Sequence, residues 1–467
     1  MISETMIYSA KKGEKMESEI KIYSRENGQI QRVQVVKWDD WSKLDFLYLK
    51  ENPAALKCFR DIYANYLVPG CPWVFGNMIL FQLPKDMEIE FPLETKKYGK
   101  IDNPLTAATI ALQKGVTIVG GKPLFRNVKI KRFWRKLEER NSIYIVCGKL
   151  PFTQVIPIAD YAGFLSENEI DAAMKVNASF FIMDSFDCAT VYDHVGKVFG
   201  LCVKDGVVES PPLYHREALL VKKNGKVVIK ALDICDMEIK IRDERYLHGQ
   251  NVTIHTRPEM SKTPKFEKGK KIVVVGKQVV AVKEKGSVSI PASGFVLCLK
   301  DDFSCKQDIM PGDKVEYLGL EEIKFGIQVG NSIVKNGVKT EEFISKFYNI
   351  RKLEQIPYPP SLYPMDFEQG RAARIALGCD TNGKPMLFWA EGAGKIQYVP
   401  GEDSTGASLR EMAEIAKDLG MMQAVNLDGG GSAQILLNNE RRLRISDRNK
   451  EDNTDAERLV PLGLVIR

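Results

Sequence analysis

The chain has 467 residues, 44% hydrophobic and 27% charged, a balance that excludes disordered and collagen-like classes and leaves room for two or three globular units. Its 67 basic and 61 acidic residues leave a net charge of +6, too small to argue for a nucleic-acid partner. No stretch reaches the roughly 20 apolar residues that cross a bilayer, and the charged segment Met1–Asn27 lacks an apolar signal core, so no membrane partner is expected. Nine cysteines, odd in number and without a Cys-x-x-Cys pair, fit reduced thiols and an expected cytoplasmic location.

In chain order, residues 1–30 read as a flexible N-terminus and 31–135 as a smaller α/β accessory region of unassigned role. Trp38, Trp41, Leu44, Phe46 and Leu47 form an apolar cluster. A helix is expected over Asn52–Tyr66, with Pro53 at its start, then strands over Met78–Leu83 and Met87–Phe91. Leu105–Lys114 reads as a short helix and Val116–Val119 as a strand. The basic run Lys129–Leu137 reads as a solvated helix face.

From Ser142 the pattern turns strand-rich. Strands are expected at 142–147, 197–203, 218–222, 226–230, 252–255, 271–275, 278–282, 294–300 and 313–318. Asp205-Gly206, Asn224-Gly225, Asn336-Gly337 and Asn382-Gly383 mark turns between them. Glu167–Met174 reads as a helix. Leu409–Leu419 reads as the clearest one, with Met412, Ile415, Ala416 and Leu419 on one face and Gly420 as its stop. Many strands and few helices, in no strict alternation, give an α+β class: a mixed or antiparallel sheet domain over 140–467 with a few packed helices.

The run Ala424-Val-Asn-Leu-Asp-Gly-Gly-Gly-Ser432 places a carboxylate at the end of an apolar strand, followed by three glycines and a hydroxyl. Glycines are costly within a strand and useful where the backbone turns tightly or lets a ligand reach its amides. Asp428 is thus either a catalytic carboxylate or a residue capping its own turn. Gly429, Gly430 and Gly431 offer amides to an anion, with Ser432 as hydrogen-bond partner. No histidine neighbour or Gly-x-Ser-x-Gly elbow makes Ser432 a nucleophile. Asn177 could present its amide to a sugar hydroxyl or hold an Asx turn. The four histidines share no close spacing, and Asp301-Asp302 lacks the pattern of a calcium loop, so neither a metal nor another cofactor is expected.

Five short motifs, in order across roughly 140–467, carry a resemblance. They are Val176-Asn-Ala-Ser-Phe-Phe181, Gly326-Ile-Gln-Val-Gly330 with Lys335-Asn-Gly337, Arg374-Ile-Ala-Leu-Gly-Cys-Asp380, Leu409–Ser432 and Glu457-Arg-Leu-Val460. Together they resemble the phosphodiester glycosidase family. The resemblance implies hydrolysis of a bond between a sugar and a phosphate-bearing aglycone, on a small-molecule or glycan substrate. It implies a phosphate-binding role for Arg374, with Arg371 and Arg458 as alternatives. Glu391-Gly392 falls where the family tends to have Asp-Gly, which makes Glu391 a second acid/base candidate beside Asp428. Asp184, Asp187 and Glu217 are further carboxylates near matching segments. Ala178 and Ser179 replace family glycines and would narrow a backbone-lined pocket. Two alternatives stay open: a hydrolase or transferase on ordinary glycosidic bonds, and a non-catalytic carbohydrate-binding protein.

Overall fold

The computed structural model describes residues 16, 18–24, 29–49, 163–182, 190, 192, 196–213, 216–257, 260–265, 269–300, 303, 307–340, 370–392, 403–448, 452, 454 and 456–467. It also gives the backbone of strands Ile2–Ile7, Trp73–Phe75, Met78–Leu83 and Ile143–Cys147. The expected helices 52–66 and 105–114, strands 87–91 and 116–119 and the basic run 129–137 lie outside the described residues.

Among the described residues every pair of neighbouring strands within the sheets is antiparallel, and several pairs follow one another through short turns. The largest sheet orders eight strands as 2–7, 18–24, 30–37, 385–390, 374–380, 421–426, 332–335 and 338–339. Its middle strands, Pro385–Ala390, Arg374–Asp380 and Met421–Asn426, are buried along nearly their whole length. Continuous apolar runs such as Met386-Leu-Phe-Trp-Ala reflect that two-sided burial. On one face, Ala376, Phe388, Ala390 and Ala424 meet the helix Leu409–Asp418 through Leu409, Met412 and Ala416. On the other, Ile375, Leu377, Trp389 and Val425 pack with residues from two five-stranded sheets.

The helix begins at a reciprocal cap: the Ser408 hydroxyl accepts from the Glu411 amide, and the Glu411 carboxylate accepts from the Ser408 amide. It ends at Gly420, whose positive φ (75°) favours a residue without a side chain. Asp205-Gly206 and Asn336-Gly337 each place two successive residues at positive φ, the geometry of the tight hairpin turns read from sequence.

Three segments differ from their expected form. Residues 31–49 fall within the 31–135 accessory segment by sequence, yet Ile30–Lys37 pairs with Pro385–Ala390 and Leu44–Tyr48 with Leu462–Ile466. The accessory boundary therefore begins after residue 49 at the earliest, because Trp38, Trp41 and Leu44 are buried in the core of the later sheets. Ser18–Ser24, within the supposed flexible start, pairs with Ile30–Lys37. Glu167–Met174 is not a helix: a single 3-10 turn at Leu165–Glu167 leads by an irregular path to the strand Met174–Asn177. There the Asn168 side chain accepts the Ile170 amide (2.9 Å), and its carbonyl accepts the Lys175 ammonium (2.7 Å). These local bonds compete with helix formation.

The middle of the large sheet leaves no room at Gly378, where an added β-carbon would lie 1.8 Å from the Gln423 carbonyl oxygen. Gly378→Ala is expected to cost at least ~2 kcal/mol by forcing two central strands apart. Urea unfolding measures this; a change below half that value would show that the strands part easily.

Candidate functional site

The strand Met421–Asn426 ends where Arg374–Asp380 begins, and their side chains alternate between the helix-covered face and the opposite core. Ala376 stands opposite Asn426, so Arg374, two residues before Ala376, and Asp428, two residues after Asn426, lie at the same end of the paired strands. The turn is pinned by backbone bonds. Leu427 donates to the Ile375 carbonyl (2.8 Å), Asp428 to that of Ala178 (2.9 Å) and Gly430 to that of Ala373 (2.7 Å).

Each glycine has a separate reason. A β-carbon on Gly429 would lie 2.6 Å from the Ala373 carbonyl oxygen, and one on Gly431 would overlap the Asp447 carboxylate at 1.9 Å. Gly430 has φ of 61° and open space where a side chain would be. The Gly429 amide bonds the Asp428 carboxylate and the Gly430 amide bonds Ala373, so two of the three amides are committed within the turn.

Asp428 is 7% exposed. Burial pushes its pKa up from the ordinary 3.8 to about 6, against the opposing pull of the Arg458 charge, the Ser432 hydroxyl, the Gly429 amide and the Arg374 charge. Arg458 is oriented by a bond to the Ser432 hydroxyl (3.2 Å) and an ion pair with Asp447 (2.5 Å). Arg374 is anchored through Nε to the Ala407 carbonyl (3.3 Å) and through Nη2 to that of Gly370 (2.9 Å). One buried carboxylate with a raised pKa thus sits in the field of two fixed guanidinium groups.

Asn177 is 1% exposed, and its amide spans two segments of this turn. Nδ2 donates to the Asp428 carbonyl (2.8 Å), and Oδ1 accepts from the Gln434 amide (2.9 Å). Its side chain therefore fastens the residues on either side of the triple glycine. Neighbouring Asn426 is fully buried, and neither atom of its amide has a hydrogen-bond partner. Such an arrangement costs on the order of 1–3 kcal/mol per group.

Glu391 belongs to an adjoining cluster. Its pKa is raised by burial and held back by Arg32, 3.5 Å away, and by Arg444 and Arg448. Asp403 pairs with Arg444. The two clusters touch through Ala373, which accepts the Gly430 amide on one side and donates to the Ser446 hydroxyl (2.8 Å) on the other. Arg371 pairs with Glu411 and bonds the Gly406 carbonyl (3.3 Å). Glu217 pairs with Lys335 (2.7 Å) and bonds Ser332, while Asp184 and Asp187 lie outside the described residues.

The structure thus gathers Asp428, Ser432, Arg374, the glycine turn and Asn177 at one place, with Glu391 one layer away. Asp447, Arg448, Asp403 and Arg444 were not singled out from sequence. They lie in polar stretches without periodicity, and only the burial of Asp403 and Arg448 marks them.

A buried carboxylate with a raised pKa beside arginines is the kind of group that clusters at functional sites. Residues 267–467 match the family model described as Phosphodiester glycosidase. The chain resembles that family through this C-terminal part, which contains Arg374, Glu391, Asp428, Asp447 and Arg458; Asn177 precedes it. Mouse N-acetylglucosamine-1-phosphodiester alpha-N-acetylglucosaminidase is 40% identical over 67 residues, covering 14% of this chain and 11% of that protein. The chain therefore matches about a tenth of that curated relative's length. A hypothetical protein from Synechocystis superposes with a TM-score of 0.42 at 15% identity, covering 96% of this chain and 62% of the other. The catalytic domain of the zebrafish N-acetylglucosaminidase, auto-inhibited by its pro-peptide, gives a TM-score of 0.36 at 13% identity, covering 100% and 88%. The fold is defined by this chain's own strand pairing.

The raised pKa of Asp428 has a stability consequence with a definite sign. The folded chain keeps a proton that the unfolded chain releases, so stability falls as pH rises between about 4 and 6. Asp428→Asn is expected to be more stable than the parent above about pH 6, by on the order of 3 kcal/mol. The advantage should vanish below about pH 4, where both side chains are neutral. Thermal melts at several pH values read this directly; equal melting at neutral pH would mean that the carboxylate is well solvated.

Proposed function

We propose that the chain is a glycoside hydrolase that releases a sugar from a phosphodiester-linked aglycone, and that the reaction takes place at Asp428. The observation that carries this reading is the placement of one buried carboxylate between Arg458 and Arg374, beside the open side of Gly430. The family resemblance and the partial identity to a phosphodiester N-acetylglucosaminidase support the same chemistry.

Hydrolysis adds water across the bond between the anomeric carbon and the phosphate oxygen. A carbon–oxygen bond to water forms, the one to the phosphate breaks, and the proton released by water must be accepted. A phosphomonoester is a good leaving group, so strong protonation of its oxygen is less pressing than stabilising the charge it carries away. Guanidinium groups suit that task, being permanently charged and planar. Arg374 and Arg458 are already fixed by carbonyl, hydroxyl and carboxylate partners, so little reorganisation accompanies the reaction. Asp428, ionised above about pH 6, is the carboxylate that meets the anomeric carbon or the attacking water. Asn177 keeps the turn in register through the Asp428 carbonyl.

A direct assay offers the purified chain a methyl hexose-1-phosphodiester and the same sugar on a neutral nitrophenyl aglycone. The phosphodiester is expected to turn over at least about a hundredfold faster. Asp428→Asn should lower kcat by about a hundredfold or more. The parent kcat/KM should rise with pH up to about 6 and then level off, following ionisation of the carboxylate. Turnover of the neutral glycoside alone, or full activity in Asp428→Asn, would reject the reading.

A further inference from the structure

Hydrolysis requires a group that takes the proton given up by the attacking water. A carboxylate suited to that task lies at the glycine turn, is held in place, and is open to solvent so that it can pass the proton on. Asp428 lies at the turn and is held there, but it is buried. Glu391 belongs to the neighbouring cluster, with its side chain 14% exposed and Arg32 against it. Asp403 is buried and paired with Arg444, and Glu457 is paired with Arg441 at 2.7 Å.

Asp447 meets all three requirements. One of its carboxylate oxygens lies 1.9 Å from where a β-carbon on Gly431 would be, so it occupies the room left within the turn by the missing side chain. Next to it, Gly430 has open space where its own side chain would stand. The Asp447 side chain is 24% exposed and that of its partner Arg458 is 31% exposed, so solvent reaches the turn from this side. Arg458 holds the Asp447 carboxylate through Nη2 (2.5 Å) and the Ser432 hydroxyl through Nη1 (3.2 Å), and its charge also acts on Asp428. The Asp447 carbonyl accepts the Ala456 amide (3.0 Å), which fixes the backbone. Two carboxylates thus share one guanidinium, one enclosed and one facing solvent. Such a division of environments gives paired acids different roles, and glycoside hydrolysis generally uses a pair.

We propose that Asp447 is a further catalytic residue, the general base that takes the proton of the attacking water. The inference rests on the hydrolase reading above and deepens it. The water oxygen forms its bond to the anomeric carbon while one of its protons passes to an Asp447 carboxylate oxygen. The bond from that carbon to the phosphate oxygen breaks, and its electron pair leaves with the phosphate, whose charge Arg374 and Arg458 take up. Asp428 faces the anomeric carbon throughout. Asp447 then releases its proton to solvent on its exposed side.

Two substitutions separate this role from one of merely orienting Arg458. Asp447→Asn keeps an oxygen that can accept from Arg458, and Asp447→Ala leaves room beside Gly431 for a small anion. Both are assayed on the methyl hexose-1-phosphodiester, and unchanged melting temperatures confirm their folding. In each, kcat is expected to fall at least about a hundredfold, with KM changed less than about threefold. Sodium azide, a nucleophile with no proton to lose, should raise kcat of Asp447→Ala at least about tenfold and yield the glycosyl azide, detected by mass spectrometry. The parent should gain nothing from azide. An Asp447→Asn chain that keeps more than about a third of the parent kcat would overturn the proposal, and so would an Asp447→Ala loss that azide does not repair. No turnover by the parent would sink the hydrolase reading and this inference together. An active parent beside an active Asp447→Asn would sink this inference alone.

Discussion

A carboxylate removed from water must find its solvation in the protein, or else keep its proton. At Asp428 the chain provides both in part. A glycine amide, a serine hydroxyl and two guanidinium charges favour ionisation, while burial opposes it more strongly. The surrounding architecture can be traced from that balance. The carboxylate is buried because it continues a central strand. Gly429 and Gly431 are glycines because the Ala373 carbonyl and the Asp447 carboxylate press against them. Asp447 is there to orient Arg458, which bonds Ser432 in turn. Removing a single member would leave a buried charge without its counterpart, which is why the cluster behaves as one unit.

The sheet is what makes this cluster rigid. Arg374 opens one strand and Asp428 lies two residues past the end of its neighbour, and the register is fixed by Ala376 opposite Asn426. Asn177 ties in the second sheet by bonding both flanks of the glycine turn. Two sheets and their shared core therefore meet at this buried carboxylate. Distortion of any of these strands would be felt there as a change in charge separation, a sensitive quantity in a dry environment. The unpartnered amide of Asn426 is consistent with a site where local stability is not maximised.

Much of this was legible in the chain itself, for physical reasons. Three successive glycines have no use inside a strand, so the turn after Asp428 announces itself. Asn-Gly and Asp-Gly pairs mark hairpins because few other residues accept positive φ in succession, as at Asn336-Gly337. The helix Leu409–Asp418 carries both its apolar face and its Ser408/Glu411 cap in local sequence. Other features depend on partners far away. Nothing in Ile30–Lys37 foretells that it pairs with a strand some 350 residues later, so its sequence reads as part of a separate N-terminal region. Glu167–Met174 has helix-forming composition, but Asn168 diverts the backbone bonds a helix would need. The supporting charges Asp403, Asp447 and Arg448 sit in irregular segments where no period distinguishes a buried ion from a solvated one.

Burial, opposed by two fixed arginine charges, sets the pKa of Asp428 near 6. Carbon-13 NMR titration of the Asp428 carboxyl, in the parent chain and in Arg458→Gln, measures that most directly. The account predicts a midpoint near 6 in the parent, moving upward when the Arg458 charge is removed. A midpoint near 3.8, unmoved by that substitution, would contradict it.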